Sequence, residues 1–91
     1  MPLQILGSTG DKVAEDLKAA IEGAIEGALV EVVAGGGGHF EVTVVSATFE
    51  GQTRVKQQQR VYAAIAPLMK GDTAPVHAID RLRTLLPPNE G

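Results

Sequence analysis

Ninety-one residues with a formal net charge of −3 make one domain with a single modest core. The chain has no cysteine, which excludes disulfides, thiol catalysis and any all-cysteine metal site. The mildly acidic balance gives no general electrostatic drive toward nucleic acid, so such binding would need a local basic patch.

The N-terminal MPLQILGSTGDK has no basic start followed by an apolar run, so it is not read as a signal peptide. No apolar stretch approaches the roughly 20 residues of a membrane helix, and a cytoplasmic location is expected. Residues 1–10 are expected to be a loose arm. Ser8, Thr9, Gly10 and Asp11 then offer capping oxygens for a helix start. Val13, Leu17, Ile21, Ala24 and Ile25 follow at helical spacing, with charge on the opposite face. Gly27 suits a C-cap.

Leu29 to Val33 is β-branched and reads as a strand. The glycine run Gly35–Gly38 must turn the chain. Phe40 to Phe49 (FEVTVVSATF) reads as a second strand, making an antiparallel hairpin. Glu50 and Gly51 turn the chain again. A helix is expected from about Thr53 to Met69, with Pro67 kinking or ending it early. Gly71, Asp72, Thr73 and Pro75 form a loop. In VHAIDRLRTLLP, Ile79, Leu82, Leu85 and Leu86 have helical spacing, so periodicity favours a helix there. As a strand, this segment would complete a small mixed sheet, parallel to the second strand, with helices on one face.

The run GGGGHF leads into a strand and lacks the ending of a phosphate-binding P-loop, so it reads as a flexible turn. His39 and His77 sit at expected strand starts beside flexible loops. Neutral imidazole ligates zinc, copper and iron, but two histidines cannot complete a tetrahedral site. Without further ligands they read as ordinary histidines. Glu41, two residues from His39, is a candidate charge partner. No catalytic motif is present, so no enzyme activity is expected. Arg54, Lys56, Arg60, Arg81 and Arg83 could form a phosphate-binding patch or an ordinary solvated face. Three aromatic residues do not advertise base stacking.

HFEVTVVSATFEG, then RVKQQQRVYAAI, then VHAI with a Leu-Pro end, resembles the BolA family over roughly residues 11–87. RVKQQQRVY looks most like the IbaG branch. The resemblance implies an α/β (α+β) class II KH-like fold, helix-strand-strand-helix-strand, with a three-stranded mixed sheet. Residues 1–10 are then the arm, 11–87 the domain and 88–91 a tail. It makes the VHAI segment a strand, with a bulge expected around Asp80–Arg81 because the chain is slightly long there.

The resemblance also implies a monothiol glutaredoxin partner and a shared 2Fe–2S cluster, with glutaredoxin cysteine and glutathione supplying thiolates. No cluster is expected tightly bound to the isolated chain. The histidine of Val-His-Ala is the family's main ligand and matches His77. The second family ligand lies in the hairpin loop. His39 is the nearest candidate, although glycines stand at the usual position. These features imply iron–sulfur trafficking or iron and redox regulation. Some family members are described as transcription and stress regulators, so DNA binding through Arg54, Lys56, Arg60, Arg81 and Arg83 is the alternative. A monomer or a weak homodimer through the sheet edge is expected.

Overall fold

The computed structural model describes residues 9–71 and 74–88. Of the expected arm over residues 1–10, residues 1–8 lie outside the described residues, as do loop residues 72–73 and tail residues 89–91; Thr9 and Gly10 belong to the first helix and not to an arm. The elements run α1 (Thr9–Ala24), β1 (Leu29–Gly36), β2 (His39–Val45), a 3-10 turn (Ala47–Phe49), α2 (Arg54–Met69) and β3 (Ala78–Leu85). The strands form one sheet in the order β1-β2-β3. β1 and β2 are antiparallel, whereas β2 and β3 are parallel. This is the α+β arrangement implied by the resemblance.

The helices cover one face of the sheet. Val13, Leu17 and Ile21 of α1, with Ile25 just past its end, are buried. They meet Phe40, Val42 and Val44 of β2, and Val61 and Ile65 of α2. The period of 3.6 in the helices and of 2 in the strand therefore point at the same layer. Among the described residues, no helix is long and apolar enough to cross a membrane.

The last segment is a strand, not a helix. Its register explains the misleading periodicity. Phe40 pairs with Ile79, but Glu41 pairs with Arg81, so Asp80 is an extra residue in β3. The bulge falls where the family resemblance put it. It spaces the core-facing Ile79 and Leu82 three apart, which imitates a helix.

The second strand stops at Val45 instead of reaching Phe49. Ser46 ends it by capping the 3-10 turn: its Oγ accepts from the Thr48 amide at 3.1 Å and donates to the Glu26 carbonyl at 3.1 Å. A serine two residues before a backbone amide offers this alternative to a sheet ladder. Thr53 caps α2 by accepting from the Lys56 amide at 3.1 Å. Pro67 lies inside α2, and the helix continues through it to Met69. The early break expected there does not occur, although the helix ends two residues later.

Two of the three consecutive glutamines fasten α2 to its surroundings. Gln57 Nε2 donates to the carbonyls of Phe49 and Gln52 at 3.2 and 3.0 Å. Its Oε1 accepts from the buried Thr84 hydroxyl at 2.7 Å. Gln58 Nε2 donates to the Leu82 carbonyl at 3.2 Å. A polar group on the inner face of β3 is thereby satisfied.

Candidate functional site

The glycine turn builds the site. Gly36, Gly37 and Gly38 have φ of 89°, 66° and 81°, values that glycine adopts without steric cost. The register of β1 against β2 shifts between Ala34 and Gly36, so Gly35 is an extra residue at the hairpin end. The Gly38 carbonyl accepts from both the His77 and Ala78 amides, at 2.8 and 3.1 Å. The start of β3 is thus pinned to the turn that starts β2.

This brings the two histidines to one corner of the fold. A Cβ at Gly38 would collide with His77 Cδ2, so the imidazole rests directly on that glycine. A Cβ at Gly37 would lie 3.9 Å from His39 Cδ2. The two rings therefore flank adjacent residues of one turn, and both histidines are exposed. An apolar cleft formed by Val13, Ala34, Phe40, Pro75 and the glycines adjoins them.

His39 pairs with Asp80, Nδ1 to Oδ1 at 2.9 Å, and not with Glu41 as the sequence suggested. Glu41 lies in register with Arg81. The bulge residue is what supplies the carboxylate. Donation from Nδ1 to a carboxylate leaves Nε2 as the ligating nitrogen, the arrangement that supports metal-bound histidines. Sequence reasoning missed Asp80. The excess length around Asp80–Arg81 was the available signal.

Among the described residues, no group of three or more histidine, aspartate or glutamate side chains is arranged to hold a metal ion. The corner offers at most two imidazoles. A metal centre docking here would take its other ligands from outside the chain.

The five basic residues separate. Arg54 and Arg83 line one cleft with Gln58, Leu82, Thr84 and Leu85, between α2 and the edge of β3. Arg81 and Lys56 are exposed. Arg60 is committed elsewhere: its guanidinium donates to the Thr48 carbonyl, the Thr48 hydroxyl and Gln52 Oε1. It also lies 5.2 Å from the centroid of the buried Phe49 ring. Arg60 therefore braces the 3-10 turn, a cation–π and hydrogen-bond role.

Comparison with known proteins agrees with the geometry. The profile of the family described as BolA-like protein matches residues 18–87. A bolA protein homologue from Coxiella burnetii is 36% identical, with a TM-score of 0.61, over 80% of this chain and 88% of the homologue. BolA1 from Arabidopsis thaliana is 25% identical, with a TM-score of 0.64, over 86% of this chain and 95% of its own. The BolA domain of SufE1 from Arabidopsis thaliana shares the fold at 22% identity, with a TM-score of 0.66, over 90% of this chain and 95% of that domain. No curated protein matches the chain.

Proposed function

Since the chain belongs to the BolA-like family, we propose that it is a non-enzymatic adaptor that binds a monothiol glutaredoxin and shares its 2Fe–2S cluster, with His77 as iron ligand. The observation that carries this reading is an exposed imidazole pinned by its own backbone to the glycine turn. A ligand so placed faces a partner without reorganising the fold. The cluster is cargo, held between two proteins, with glutaredoxin cysteine and glutathione supplying thiolates. Exchanging a thiolate for a neutral histidine on one iron removes negative charge and raises the cluster potential. His39, oriented by Asp80, is the second candidate ligand. This role belongs to iron–sulfur trafficking or to iron and redox regulation, in the cytoplasm.

The test is to mix the protein with a monothiol glutaredoxin, glutathione, iron and sulfide, then record visible absorption and circular dichroism. A heterodimer with a spectrum distinct from the glutaredoxin homodimer is expected. An unchanged spectrum overturns the reading.

The cleft shared by Arg54 and Arg83 favours a second reading, DNA binding, with Lys56 and Arg81 adding phosphate contacts. Four such contacts predict that affinity falls by about two orders of magnitude between 50 and 200 mM salt. Arg60→Ala should leave that affinity unchanged, because Arg60 is engaged within the fold. Absence of binding in an electrophoretic shift assay at low salt rejects this reading.

A further inference from the structure

We infer that the helix-free face of the sheet is a contact surface for a second copy of this chain. That face carries alternate residues of each strand, opposite the buried Phe40, Val42 and Val44. Three of the large hydrophobic side chains left exposed lie on it: Leu29, Val33 and Leu85, at 71%, 53% and 40% exposure.

The face is organised in rows across the strands. Leu29 pairs with Val45 and Val45 with Leu85, an apolar row at one end. The next row is Glu31, Thr43 and Arg83. Glu31 and Arg83 stand two strand spacings apart, about 10 Å, so they are not each other's direct neighbours within one chain. The third row is Val33, Glu41 and Arg81.

The pattern is self-complementary under one symmetry. Stacking two copies face to face about a two-fold axis parallel to β2 lays β1 over the β3 of the other copy and keeps every row level. Glu31 of each copy then faces Arg83 of the other, and Leu29 faces Leu85. Glu41 meets its own equivalent near the axis, with each carboxylate flanked by the Arg81 that pairs with it in register. An in-plane axis across the strands would instead lay β1 over β1 and bring the two Glu31 side chains onto the same strand pair. The isologous contact is therefore specified by charge order as well as by apolar surface.

Three strands about 4.8 Å apart give a face only about 14 Å wide. The area is at the low end for specific association, so the dimer should form in a concentration-dependent way. This contact uses the sheet face; His39 lies on that face, in the row of Gly36, His39 and Ala78 beyond Glu41, and His77 lies outside it, just before β3 begins. The contact does not depend on what His77 binds.

The test is sedimentation equilibrium on the whole chain with two charge reversals, Glu31→Arg and Arg83→Glu. Wild type should show a reversible monomer–dimer equilibrium. Each single variant should dimerise at least tenfold more weakly, because each puts two like-charged pairs in contact. An equimolar mixture of the two variants should recover the dimer, because every contact is then between opposite charges. Circular dichroism of each variant confirms that it is folded. A wild type that stays monomeric up to millimolar concentration overturns the inference. So do single variants that dimerise as well as wild type, or a mixture that fails to recover.

Discussion

His77→Ala is expected to abolish the heterocomplex spectrum with a monothiol glutaredoxin while leaving the isolated chain folded. The side chain is exposed and its imidazole makes no hydrogen bond among the described residues. What anchors the residue is its backbone amide on the Gly38 carbonyl, at 2.8 Å. That bond survives the substitution. Loss of stability should therefore stay within about 0.5 kcal/mol, as for an ordinary surface position. Loss of the ligand should be near complete, since the substitution leaves the chain one histidine, His39, which is already engaged with Asp80. His39→Ala should have a smaller effect on the spectrum, and Asp80→Asn should follow His39→Ala if the carboxylate orients that ring. The measurement is titration followed by visible circular dichroism. A His77→Ala protein giving the wild-type spectrum would remove His77 from the site.

Phe49→Ala should be the most damaging substitution to stability, costing about 3–5 kcal/mol. Phe49 is fully buried, on the turn that carries the chain from β2 into α2. Its ring lies under Arg60, and its carbonyl accepts from Gln57. Truncation leaves a cavity in the core and removes the surface on which Arg60 rests. For a domain of this size the total margin is on the order of 5–14 kcal/mol, so the loss takes a large share of it. Urea denaturation followed by far-ultraviolet circular dichroism measures this. Phe49→Leu, which keeps most of the volume, should cost less than about 1.5 kcal/mol. Equal effects from the two substitutions would show that ring packing is not what Phe49 contributes.

These two residues also show what could be read from the sequence. Val13, Leu17 and Ile21, and Phe40, Val42 and Val44, announce a helix and a strand because their spacing matches a buried face. Ile79 and Leu82 mislead because a single extra residue, Asp80, breaks the period of 2. Only the family resemblance corrected that segment. Phe49 read as the end of a strand because its residue type suits one, whereas Ser46 had already diverted the backbone. Arg60 looked like one more surface cation, because nothing local marks a side chain that reaches back twelve residues. For the site, the sequence pointed to both histidines as individual residues. That both stand at the same turn depends on a parallel pairing between distant segments, which no local pattern encodes.

That pairing has a consequence for how the site comes and goes. The contact between His39 and Asp80 spans 41 positions of the chain, and the Gly38–His77 bond spans nearly as many. Neither exists until β3 has docked beside β2, across the connection that carries α2. Closing so long a loop is an entropic cost met only when the strand seats. Amide exchange at His77 and Ala78 should therefore report the opening of β3 as a unit. Each such opening carries His77 away from the glycine turn, so a cargo held as proposed above would stay docked no longer than one edge strand stays seated.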